Sequence, residues 1–125
     1  MWIQINPNPG KKIAPDCVIR AISVALNKTW LDVSDELYSV ARREYSITSD
    51  DHVWGRYLYE LGFEPFLLSE SCPKCITVRA FSKIFPRGTY IIGTGSHAVA
   101  VVNGNYFDTW DSGNEVPTFF WKIVN

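Results

Sequence analysis

The order of hydrophobic patterns along the chain predicts an α+β fold, with N-terminal helices packed on an antiparallel β-sheet from the C-terminal third. Three observations predict it. Apolar residues recur at helical spacing from Val18 to Leu61. After Gly88 that spacing gives way to short runs rich in β-branched and aromatic residues. Two of those runs are separated by Asn103-Gly104, the strongest two-residue hairpin signal. At 125 residues the chain reads as one domain (1–125), long enough to bury a proper core.

Residues 1–14 read as extended or looped, with turn residues concentrated in Asn6-Pro7-Asn8-Pro9-Gly10. The first helix opens at Cys17: Pro15 stops any earlier helix, Asp16 stands at the N-cap, and Val18, Ala21, Ile22, Ala25 and Leu26 form the apolar stripe. Asn27-Lys28 breaks it. Thr29-Trp30-Leu31-Asp32 is a capping box with Asp in the Glu position, opening a second helix that ends near Tyr45. Ser49-Asp50-Asp51 opens a third, carrying Val53, Trp54, Tyr57 and Leu58 and stopped by Gly62. Thr77 caps a short fourth helix with Val78, Phe81, Ile84 and Phe85, closed by Pro86-Arg87-Gly88. Strands follow at 89–94, 97–102, 105–109 and 119–124.

Composition removes several function classes. A formal net charge of −1 gives no general pull toward nucleic acid or an anionic membrane. No apolar run approaches the roughly 20 residues that span a bilayer. The first residues lack the basic region and apolar core of a signal peptide, so a cytoplasmic location is expected. Three cysteines cannot pair completely, which leaves at least one free thiol. Cys72-Pro73-Lys74-Cys75 has C-x-x-C spacing, but zinc needs four ligands and no second such pair exists. The order of elements is not thioredoxin-like either, so this pair reads as a loop feature without a catalytic role. No metal or organic cofactor is expected.

The chemistry centres on Cys17. A thiol in the first turn of a helix faces unpaired backbone N–H groups and the positive end of the helix dipole, and both favour the thiolate. Lys11 and Lys12, just upstream, would either favour it further or form a solvated basic loop. The commoner fate of a free cysteine is that of a small buried hydrophobe, so a base is required before a nucleophile can be inferred. Of the two histidines, His52 reads as a partly exposed helix residue.

The hairpin supplies the base. A two-residue turn at Asn103-Gly104 pairs Val102 with Asn105, Val99 with Asp108 and His97 with Trp110. Side chains two apart share a face, so His97, Val99, Asp108 and Trp110 point the same way, opposite to Ala98, Ala100, Val102 and Phe107. His97 and Asp108 are then diagonal neighbours, roughly 7–8 Å apart at the backbone, a gap their side chains can bridge. A carboxylate on one imidazole nitrogen orients the ring and leaves the other nitrogen to act as base. Trp110 beside them would exclude water. A one-residue change in the loop would put Asp111 on the His97 face instead.

The order Cys-helix, His-strand, Asp-strand resembles the papain-like cysteine peptidases. Asp16-Cys17 resembles the nucleophile helix of the small bacterial members, Ser96-His97-Ala98-Val99 the histidine strand, and Asp108-Thr109-Trp110 the family's Asn-Ser-Trp, with Asp for Asn as in the peptidase domains of bacteriocin-exporting ABC transporters. The small size and Asp-Cys-Val-Ile-Arg-Ala-Ile are similar to papain-like proteins of bacteriophages and prophages. The resemblance implies a papain-like fold, with Cys17 as nucleophile, His97 as general base then acid, Asp108 as orienter and Trp110 as its shield. The family's oxyanion Gln is missing from its usual place before the Cys, where Lys11 and Lys12 stand. Asn8 ranks first as a substitute donor beside the Cys17 N–H.

The function these residues imply is acyl transfer: hydrolysis of a peptide or isopeptide amide, with peptidoglycan cross-links as a variant and deamidation or transamidation served by the same residues. The rival is a catalytically inactive papain-like module that binds a partner, such as a phage protein sequestering a host factor. Substrate identity and oligomeric state are not legible.

Overall fold

The computed structural model describes residues 1–69, 71 and 73–124. In chain order the elements are β1 (Trp2–Gln4), α1 (Cys17–Leu26), α2 (Trp30–Arg43), α3 (Asp51–Glu60), β2 (Glu64–Leu67), α4 (Val78–Ile84), β3 (Thr89–Gly93), β4 (Ala98–Val102), β5 (Asn105–Asp108) and β6 (Phe119–Ile123). The α+β class and the four helices are as expected.

The sheet is larger and less regular than expected. Among the described residues it has six strands in the order β1-β5-β4-β3-β6-β2, and β1 runs parallel to β5, with Trp2 opposite Tyr106 and Gln4 opposite Asp108. The expectation of a purely antiparallel C-terminal sheet is therefore corrected to a mixed sheet with one N-terminal edge strand. Nothing local marks Trp2–Gln4 for that place, because a parallel partner a hundred residues away leaves no turn signal. The other edge, β2, pairs antiparallel with β6. Pro65 fits there, since an edge strand tolerates a missing donor.

The helix signals act through local chemistry. Thr29 Oγ1 accepts from the Asp32 N–H (3.1 Å), Asp50 Oδ1 from the His52 N–H (2.9 Å) and Thr77 Oγ1 from the Ala80 N–H (3.1 Å). Asp16 is the exception. It precedes α1 but makes no side-chain cap bond. Asn103 and Gly104 both have positive φ (48° and 81°), the type I′ geometry that sets the β4–β5 register with Val102 opposite Asn105.

Alternation along the strands makes two cores. Ile91, Ala98, Ala100, Trp121 and Ile123 face α1–α3 and meet Ile22, Leu37, Trp54 and Leu58. Tyr90, Ile92, Val99, Val101, Tyr106 and Phe120 form a second cluster with Val78 and Phe81 of α4. Helix α1 lies across β4 and β3, which brings its first residue to the start of β4.

Candidate active site

Cys17, a free cysteine and half-buried, is the first residue of α1. His97 lies one residue before β4, at the end of a turn in which the Thr94 N–H donates to the His97 carbonyl (2.9 Å) and Gly95 has φ 94°. That turn matters. Alternation sends Ala98 and Ala100 toward α1 and Val99 and Val101 toward α4, so strict pleating would aim His97 away from Cys17. The β4–β5 ladder stops at Ala100 opposite Phe107, while β4 stays paired with β3 as far as Ala98 opposite Gly93, so His97 is the first residue outside both ladders. The pleat therefore predicted the His97–Asp108 pair, but not how its ring also meets α1.

The Asp108 carboxylate is saturated. Oδ2 accepts from His97 Nε2 (2.6 Å) and Ser112 Oγ (2.7 Å), and Oδ1 accepts from the Thr109 N–H (2.8 Å). The Arg20 guanidinium adds an ion pair, Nη2 to Oδ1 at 3.6 Å. The backbone is held too: the Asp108 carbonyl accepts from the Ile5 N–H (3.1 Å) and from Trp2 Nε1 (3.3 Å), so β1 fixes the strand that carries it. Asp111, the alternative partner, bonds the Tyr106 hydroxyl instead (2.6 Å).

Trp110 lies against His97, ring centroids 5.1 Å apart and planes at 39°, and stays 44% exposed. Asn8 is placed differently from the expectation of an oxyanion donor. Its Nδ2 donates to Asp16 Oδ2 (3.2 Å), its Oδ1 accepts from the Gly10 N–H (2.9 Å), and it is not among the residues lining the cleft at Cys17. Its amide braces the loop ahead of α1. Lys11 Nζ bonds the Asn6 carbonyl (2.7 Å), and the positive charges acting on the thiol belong to His97 and Arg20 rather than the lysines.

Two hollows meet at Cys17 and His97. One, about 230 Å³, runs past Ser49, Asp51, Trp54, Gly95 and Ser96. The other, about 380 Å³, runs past Ile13, Ala14, Pro15, Thr109 and Trp110. Cys17, Ser49, Ser96 and His97 line both, so the sulfur and the imidazole sit at the waist of a groove open in two directions.

The electrostatics follow from these contacts. Burial pushes the Cys17 thiol up, but hydrogen bonding to the His97 ring and the Ala98 N–H, with the charges of His97 and Arg20, outweighs it, and the thiol lies below its ordinary value. Burial alone would push His97 down, yet its hydrogen bonds to Asp108 and Cys17 and their negative charges raise it to about 9. Burial likewise pushes Asp108 up, and the bonds from His97 and Ser112 hold it below the usual carboxylate range. The shifts of Cys17 and His97 both run toward a thiolate–imidazolium pair.

Sequence reasoning missed Arg20 and Ser112. Arg20 is in the quoted α1 segment but counts there only as a polar helix position, and Ser112 follows Asp108 by four residues in a loop with no periodicity. Cys75 is disulfide-bonded; Cys72 lies outside the described residues. Among the described residues no group of three or more His, Cys, Asp or Glu could hold a metal ion, and no helix is long and apolar enough to cross a membrane. None of the family models, curated proteins or solved structures compared with the chain matches it.

Proposed function

We propose that this protein is a papain-like thiol hydrolase acting on an amide bond, peptide or isopeptide. One observation carries the reading: a half-buried free thiol at a helix start shares a groove with a histidine whose far nitrogen is bonded to a buried carboxylate at 2.6 Å. A scaffold that only binds does not require that polar chain.

The steps follow from the ion pair. The Cys17 thiolate attacks the carbonyl carbon and the π electrons move onto oxygen, which lies near the Cys17 N–H, one of the first-turn donors without an intrahelical partner. As the tetrahedral intermediate collapses, the C–N bond breaks and His97 gives its proton to the leaving nitrogen. The thioester is then hydrolysed by water, whose proton His97 accepts. Asp108 holds the ring in place throughout and keeps its charge. A peptidoglycan cross-link, or an amine in place of water, would use the same residues.

Iodoacetamide modification of Cys17, followed by mass spectrometry against pH in the wild type and His97→Ala, tests the reading. Rapid modification below pH 7 that is lost in His97→Ala is the expected result, and cleavage of peptide and cell-wall substrates should then be measured. A thiol that titrates near its ordinary value of about 8.5, or ignores His97, would leave a binding module as the better reading.

A further inference from the structure

We infer that Arg20 is a positioning residue, which holds the Asp108 carboxylate against His97 by tying it to Asp16. The inference rests on the thiol-hydrolase reading above and adds a member to its machinery that acts through Asp108, although Arg20 also lines the hollow past Ile13 and Trp110.

Arg20 follows Cys17 by three residues on α1, and its side chain is only 11% exposed. A guanidinium is rarely buried without partners, and this one has carboxylates on two sides. Nη1 bonds Asp16 Oδ1 and the Ala14 carbonyl (3.3 Å), while Nη2 faces Asp108 Oδ1 at 3.6 Å. Asp16 is itself immobilised, because Oδ2 accepts from Trp30 Nε1 of α2 (2.9 Å) and from Asn8 Nδ2 (3.2 Å). The fork thus runs from a fixed anchor to the carboxylate that orients the imidazole. The charged groups facing Arg20 are Asp16 from the loop before α1 and Asp108 from β5. Cys17 and His97 lie next to them, and α2 contributes only the neutral Trp30 indole.

A planar fork is needed for this. Lysine keeps the charge, but as a single point it meets one carboxylate at a time. A purely structural ion pair and a positioning residue therefore differ in what they predict. The first, once the direct pull of the Arg20 charge on the thiol is retained by lysine, changes stability alone. The second also changes the titration of the thiol at the far end of the chain of contacts.

The test uses the full chain. The pH profile of iodoacetamide modification at Cys17 is measured for wild type, Arg20→Lys, Asp16→Asn and His97→Ala, with urea unfolding midpoints recorded in parallel. Arg20→Lys, which retains the charge, is expected to slow modification at pH 6 by roughly threefold to tenfold. Asp16→Asn, which keeps both Arg20 and Asp108, is expected to move the profile in the same direction. Wild-type profiles in both variants, whatever their stability, overturn the inference. If His97→Ala shifts the profile and the other two do not, Arg20 alone is refuted. If His97→Ala also leaves it unchanged, the thiol-hydrolase reading falls and the inference with it.

Discussion

His97 Nε2 lies 2.6 Å from Asp108 Oδ2, and the same carboxylate oxygen accepts from Ser112 Oγ at 2.7 Å. Those bonds commit one imidazole nitrogen to the protein and leave the other for the thiol. Asp108→Asn keeps the shape and removes one of the two negative charges, with Cys17's, that raise His97 to about 9. A weaker imidazolium stabilises the thiolate less, so the rise of Cys17 alkylation should move to higher pH and the rate at pH 6 should fall. Because Arg20 is left with one carboxylate, unfolding stability should fall by about 3 kcal/mol. Stopped-flow alkylation and urea titration measure the two effects separately.

His97 also makes stability depend on pH. Its folded value of about 9 lies above the ordinary 6.5, so the stabilisation is fully present below about pH 6.5 and is lost as pH rises through 9. The stability difference between wild type and His97→Gln should shrink steadily from pH 6 to pH 9.5. Denaturant midpoints across that range check it, and a constant difference would count against the assigned bond.

Asp51 is the carboxylate in the hollow shared with Cys17 and His97, where its Oδ1 accepts from Trp54 Nε1 (2.9 Å). Asp51→Asn preserves that bond and removes the charge. The ratio of Cys17 modification rates by a cationic and an anionic methanethiosulfonate should fall by roughly threefold, and the drop should weaken in high salt. An unchanged ratio would mean Asp51 does not face the approaching group.

Gly93 ends β3 directly opposite Phe119 of β6, and an added Cβ would collide with the Phe119 ring. Gly93→Ala should cost about 2 kcal/mol through forced displacement of that ring. Since Phe119 lines neither hollow at Cys17, the alkylation profile of the folded variant should stay as in the wild type. Thermal unfolding alongside alkylation separates fold from site.

Local chemistry made part of this protein legible. Thr29, Asp50 and Thr77 cap helices because the side-chain oxygen and the amide it serves are two or three residues apart. Asn103-Gly104 sets a register because both residues tolerate positive φ. The juxtaposition of His97 with Asp108 was legible by the same means, through the alternation of a hairpin.

The rest required the folded chain. Asp16 sits where a cap belongs, yet its carboxylate turns to Arg20, Trp30 and Asn8. Asn8 serves that carboxylate rather than the groove, Ser112 reaches Asp108 from a loop, and β1 joins β5 as a parallel neighbour across a hundred residues. The sequence by itself determined the four helices, the strands of the C-terminal third and the hairpin register, since each rests on contacts within a few residues. Only the tertiary structure decided which charges surround Asp108, which donor each carboxylate meets and how His97 turns toward α1. Those depend on burial, where a charge must find its partner from whatever part of the chain is packed against it.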